Sequence, residues 1–141
     1  MKQVQVSIFL ALLSFFSEGF TLAKENTADE IIGVYWSPKK DAKIEIYLKD
    51  QHYFGKFVWA ALPRKDIKNQ TKALQSRDIV GLEFLTSFTC DDGTYKGGEI
   101  YDPETGNTYS CKMSLKANKL KVRGYVGISL FGRTEYFERV Q

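Results

Sequence analysis

The sequence predicts an all-β protein, a small eight-stranded antiparallel up-and-down β-barrel. Three observations lead there. Apolar and polar residues alternate with period two in one segment after another. The segments are mostly separated by tight-turn residues, and none carries a long helical period. A meander of eight strands has two edges to dispose of, and closure into a barrel removes both.

The first strand, 31–38, follows a polar lead, 24–30 (KENTADE), expected to be loose. In the second, Ala42, Ile44, Ile46 and Leu48 alternate with Lys43, Glu45, Tyr47 and Lys49, the pattern of a half-buried strand. The third spans 52–60. The fourth, 80–90, places Leu82, Phe84, Thr86, Phe88 and Cys90 on one inward face. The fifth is 95–101. In the sixth, Tyr109, Cys111, Met113 and Leu115 alternate with Ser110, Lys112, Ser114 and Lys116. The seventh sets Leu120, Val122, Gly124 and Val126 against Lys121, Arg123 and Tyr125, and the eighth covers 134–140. Asp92-Gly93 and the run from Asp102 to Gly106 supply hairpin turns, because Pro presets φ and Gly takes positive φ. Ala117-Asn118 makes another tight connection. Gly55, Gly97, Gly98 and Gly124 inside strands fit the sharp coiling of a small barrel.

Two connections depart from the pattern. Residues 61–78 (ALPRKDIKNQTKALQSRD) form a long polar link rich in Lys and Arg, with one helical turn expected near 71–76. Links of that length inside a compact domain are usually functional or disordered. The other is 127–132 (GISLFG), apolar between Gly127 and Gly132 where a solvated turn is normally polar. It either plugs one barrel end or presents Ile128, Leu130 and Phe131 to a partner of the cell envelope. The plug is favoured, since small soluble domains seldom leave such a patch bare.

Residues 1–23 read as a cleavable secretory signal: Lys2 is the positive region, 4–16 the apolar run, and Thr21-Leu22-Ala23 the small-residue cleavage site. The apolar run is shorter than the roughly 20 residues of a membrane-spanning helix; a retained anchor is the alternative. No Cys follows the run, which excludes a lipoprotein anchor. Residues 24–141 then form a single barrel domain. Its formal charge stays at the +3 of the whole chain, because Lys2 and Glu18 leave together. That mild excess gives no ground for nucleic-acid binding, which needs basic residues concentrated on one face. In an oxidising compartment Cys90 and Cys111 are expected to pair. The bridge would close a loop of about 20 residues and stabilise by about 3 kcal/mol; two separate buried thiols are the alternative.

Catalytic and metal constellations are not found. Nucleophilic catalysis needs a base beside the nucleophile, and His52 is the only histidine. One His and two distant Cys fall short of a zinc site. The run from Asp102 to Asn107 lacks the carboxylate spacing of an EF-hand. Asp91 and Asp92 are adjacent on a strand and so point to opposite faces. No glycine-rich phosphate loop leads from a strand into a helix. Neither an enzyme nor a cofactor is expected. Aromatic residues are what remains: eight Tyr, ten Phe and two Trp. Phe57, Trp59, Phe84, Phe88, Tyr109 and Met113 fall on faces assigned inward, where they either fill a core or line an apolar ligand cavity.

The strings Gly33-Val34-Tyr35-Trp36, AKIEIY, YFGKFVW, KGGEIYDPETGNTYSCKMSL and KVRGYVGISLFGRTEYFERV resemble a bacterial exported family known as domain of unknown function 2147. The similarity covers essentially the whole chain after the signal. It implies a lipocalin-type, or calycin, barrel and a protein of the Gram-negative periplasm or one secreted further, and it assigns no activity. Members tend to pair a Gly with a nearby Trp in the first strand and an aromatic with an Arg near the end, matched here by Gly33 with Trp36 and Phe137 with Arg139. Lipocalins often close one end with such an Arg over such a Trp, so the resemblance implies that Arg139 covers Trp36; a solvated Arg139 is the alternative. The family's Asp-x-x-Asn-Pro loop reads Asp66-Ile67-Lys68-Asn69-Gln70, departing at the Pro. The expected function is a binding module holding a small apolar or amphipathic molecule, such as a lipid or acyl compound, with 61–78 as a lid. The competing expectation is a filled barrel that acts through its loops, which an interior space below about 300 Å³ would favour.

Overall fold

The computed structural model describes residues 27–141. The proposed signal and its cleavage site lie outside the described residues. Eight strands follow in chain order: β1 (Gly33–Trp36), β2 (Ala42–Lys49), β3 (His52–Ala60), β4 (Glu83–Asp91), β5 (Thr94–Asp102), β6 (Asn107–Lys116), β7 (Lys119–Tyr125) and β8 (Gly132–Arg139). Each pairs antiparallel with the next, and β8 returns to β1 to close the barrel. The closing seam is short, with Tyr35 opposite Arg139 and Trp36 opposite Glu138. Among the described residues no helix is long and apolar enough to cross a membrane.

The two barrel ends differ because their connections differ. At one end, β2–β3, β4–β5 and β6–β7 turn on residue pairs that both take positive φ: Asp50-Gln51, Asp92-Gly93 and Ala117-Asn118. Such turns match the right-handed twist of the strands they join. At the other end lie the longer connections 37–41, 61–82, 103–106 and 126–131. The barrel is therefore tight at one end and elaborated at the other.

The tight end is also capped. The lead expected to be loose instead forms a 3₁₀ turn at Ala28–Ile31 with Ile31 fully buried. Three tyrosine hydroxyls hold it: Tyr35 donates to the Ile31 carbonyl (2.7 Å), Tyr53 to Asp29 Oδ1 (2.6 Å) and Tyr95 to the Ala28 carbonyl. A hydroxyl is worth burying beneath a helical turn because the turn offers it an acceptor. Above this cap sit Ile44, Ile46, Leu85, Phe88, Met113 and Leu120, all buried.

Bulges reset the alternation. Ile44 faces Phe57 while Lys43 faces Trp59, so Val58 is an extra residue in β3. It leaves Phe57 inside and turns Trp59 outward. In β4, Tyr53 faces Phe88 and Gly55 faces Leu85, with Ser87 at φ 62° between them. The strict alternation expected over 82–90 fails there: Leu85 takes the inward place given to Thr86, and Phe84 is buried beside it.

Candidate functional site

Above the packed lower core the barrel opens into a cavity of about 520 Å³, which reaches the elaborated end. That volume lies within the range of small-molecule sites. Its wall is built from inward positions on strands β2 to β8: Ala42, Phe57, Phe84, Ile100, Tyr109, Val122, Gly124 and Phe137. Phe57 and Phe84 stack with ring centres 4.1 Å apart and form one aromatic side. Gly124 contributes a wall without a side chain. At the rim the surface turns polar, with Lys39, Asp41, Arg64, Asp102, Glu104, Arg133 and Glu135. Arg133 donates to Glu135 at 2.7 Å, an ion pair on the inner edge of β8.

Of the six residues expected to line a cavity, Phe57, Phe84 and Tyr109 do so. Phe88 and Met113 belong to the packed core below it. Trp59 is a correction: the Val58 bulge puts it on the outer face, 42% exposed and edge-on to Trp36 at 5.9 Å. The Lys43 ammonium lies 4.4 Å from the Trp36 ring centre and 5.6 Å from that of Trp59. Both tryptophans thus belong to an outer cation–π cluster. Sequence reasoning missed Ile100, Val122 and Phe137 as lining residues, although all three stand at the alternate positions of their strands.

The expected closure of Trp36 by Arg139 is also corrected. Tyr35, not Trp36, points inward from β1, and the Arg139 guanidinium lies 4.9 Å from the Tyr35 ring centre. Arg139 also donates to the Ile32 carbonyl (2.9 Å) and to the Glu30 carbonyl. Gly33 keeps a role in the same seam. It sits at φ 153°, and a Cβ there would meet the Arg139 guanidinium at 2.4 Å.

Cys90 and Cys111 are free thiols, which corrects the expected bridge. Cys90 faces Tyr95 across β4–β5 and Cys111 faces Gly98 across β5–β6, so β5 runs between them. Two inter-strand spacings amount to about 10 Å, beyond the roughly 7 Å that a bridge can span. Burial pushes the Cys111 thiol up to about 12.

The 61–82 connection is ordered by its own polar core, with the helical turn at Lys72–Leu74 inside the range expected. Asp66 and Asn69 are the buried polar residues among those described. Asp66 accepts from Tyr101 Oη (2.6 Å), Asn69 Nδ2 (2.9 Å) and Arg77 Nε (2.9 Å). Burial alone would raise its pKa; these donors outweigh burial and hold the carboxyl below the ordinary Asp value. Gln70 donates to the Gly106 carbonyl at 3.3 Å and to Asn107 Oδ1 at 3.1 Å. Gly106 has φ 75°, and a Cβ there would stand 1.9 Å from the Lys68 carbonyl oxygen. The link is docked on β5 and the β5–β6 turn, with Arg64 at the cavity rim.

The loop 126–131 does not plug the barrel, contrary to the favoured expectation. The cap at the tight end is the Ala28–Ile31 turn, and Val126, Ile128, Leu130 and Phe131 stand exposed around the mouth. Among the described residues no group of three His, Cys, Asp or Glu side chains is placed to hold a metal ion.

Residues 33–139 match the family model described as "Uncharacterized protein conserved in bacteria (DUF2147)". The fold is similar to a solved structure, protein HP1028 from the human pathogen Helicobacter pylori, described as belonging to the lipocalin family. The two share 20% identity at a TM-score of 0.73, over 79% of this chain and 84% of that one. A comparison with curated proteins finds no match.

Proposed function

We propose that this chain, which belongs to the DUF2147 family of bacterial proteins, is an exported binding module that holds one small apolar or amphipathic molecule, such as a lipid or acyl compound, in its barrel. The observation that carries this reading is the cavity of about 520 Å³ with Phe57, Phe84, Ile100, Val122 and Phe137 on its wall. Apolar surface left open to water inside a barrel gains free energy when a ligand covers it. The polar rim, with Arg133 and Glu135 on its inner edge, supports an amphipath whose head stays near water. The 61–82 link stands at that rim as a docked wall of the entrance, and Arg64 is its contribution to the lining.

The compartment we propose is the Gram-negative periplasm, or the medium beyond it. We read the chain as a binder rather than an enzyme, since the cavity wall is mostly apolar, with Tyr109 among its inward positions, while the carboxylates and cations stand at the rim. The competing reading, a filled barrel acting on an envelope partner, loses support from the open interior, while the exposed 126–131 loop keeps a contact surface in play.

Melting the protein with a series of saturated fatty acids and acylglycerols tests the proposal. A ligand at about a hundred times its Kd adds roughly 2.7 kcal/mol to stability, which shifts the melting temperature by several degrees. Val122→Phe, which fills part of the cavity, should remove the shift. No shift with any member of the series, or an equal shift in Val122→Phe, contradicts the reading.

A further inference from the structure

We propose that the cavity mouth docks on an anionic lipid bilayer, with the 126–131 loop as the inserted tip. Val126, Ile128, Leu130 and Phe131 are between 59% and 74% exposed. Clustered apolar side chains this bare mark a surface meant to be covered.

The tip is held in that state by its own frame. Val126 N–H donates to the Phe131 carbonyl (3.2 Å), and Phe131 N–H to the Ile128 carbonyl (3.1 Å). From the outer barrel face Arg123 donates to the Ser129 carbonyl (2.7 Å), the Leu130 carbonyl (3.3 Å) and Thr134 Oγ1 (2.8 Å). Lys112 adds a bond to Ser129 Oγ at 3.2 Å. Polar anchors consume the backbone acceptors of the loop, and the apolar side chains are left facing out.

Two further observations favour a bilayer over a protein partner. The neighbouring 61–82 link exposes Leu62 and Ile67 and carries Arg64, Lys65, Lys68, Lys72 and Arg77 against Asp66 and Asp78. Arg64 pairs with Glu104, Lys65 with Asp78 and Arg77 with Asp66, and Arg133 pairs with Glu135 at the mixed rim, so the link's remaining positive charge is on the exposed Lys68 and Lys72. Apolar points interspersed with basic side chains suit the hydrocarbon boundary and phosphate layer of an anionic leaflet. Phe131 also belongs to the cavity wall, so the tip and the entrance are one continuous surface. Seated there, the barrel would open directly onto lipid, and an apolar cargo would pass without crossing water. The docking rests on the loop and its charges; only the passage of cargo rests on the ligand reading.

Vesicle flotation tests this. The chain from residue 24 is used, so that the apolar residues 4–16 do not themselves partition; its fold is checked by circular dichroism. It should float with vesicles of phosphatidylglycerol and phosphatidylethanolamine, float poorly with phosphatidylcholine alone, and be released by salt. The double variant Leu130→Ser/Phe131→Ser should bind at least about tenfold more weakly with an unchanged melting temperature. Lys68→Glu/Lys72→Glu should lose the preference for anionic vesicles. Flotation that persists in Val122→Phe supports docking independently of cargo. Three results would overturn the proposal: no flotation with the anionic vesicles, equal flotation of the Leu130/Phe131 variant, or a photo-crosslinker at position 130 that captures protein and no lipid in cells.

Discussion

The guanidinium of Arg139 lies over the ring of Tyr35, 4.9 Å from its centre, across the two-residue seam that closes the barrel. One side chain of the last strand thus reaches the first strand and, through the Glu30 and Ile32 carbonyls, the cap beyond it. Arg139→Ala should cost about 2–4 kcal/mol, from lost charge-assisted hydrogen bonds and the cation–π contact. A double-mutant cycle read by urea unfolding should find coupling between Arg139 and Tyr35 and none between Arg139 and Trp36. The opposite pattern would restore the lipocalin-type Arg–Trp closure.

The Asp66 network gives the 61–82 link a pH-dependent hold. Its carboxyl is held below the ordinary value of 3.8. The unfolded chain therefore binds the proton more readily, and folding stability rises with pH in that window. The contribution is whole above the ordinary value and is lost as pH falls through the lowered one. Asp66→Ala should destabilise at neutral pH by about 2–3 kcal/mol. Asp66→Asn should flatten the acid limb of the stability profile below about pH 4. An unchanged acid limb in Asp66→Asn would remove the carboxylate from this role.

Gly106 has no room for a side chain and needs positive φ. Gly106→Ala should cost upward of about 2 kcal/mol and speed amide exchange across 66–70 more than in β2. Equal exchange rates would show that the link does not depend on this contact.

Thiol chemistry separates the cysteines. Cys111 is buried, with its thiol pushed up to about 12, and should resist alkylation in the folded protein. Cys90, half-buried, should react first. Unfolding without reductant should yield two alkylated residues by mass spectrometry; none would mean a bridge forms despite β5 lying between them.

Much of the architecture was legible because a barrel writes itself as alternation. Ala42 to Lys49, Tyr109 to Lys116 and Leu120 to Tyr125 read directly, as did the turns at Asp92-Gly93 and Ala117-Asn118. What escaped was whatever breaks the period. A bulge such as Val58 costs one residue and leaves no composition signal, yet it puts Phe57 and Trp59 on opposite faces. The cap escaped for a related reason: ADEI is polar enough to pass for a tail, and its long-range partners are tyrosines arriving from β1, β3 and β5 and Arg139 from β8. The Asp66 network joins residues 35 positions apart through Tyr101, a distance that no local pattern records.

Methyl-resolved NMR of the barrel titrated with a fatty acid tests whether a ligand enters the cavity. The methyl signals of Ile100 and Val122, on the cavity wall, should shift in a saturable way, while those of Leu48, exposed outside it near the tight end, should stay in place. Unmoved Ile100 and Val122 signals at saturating fatty acid, or shifts confined to outer methyls, would contradict the ligand reading.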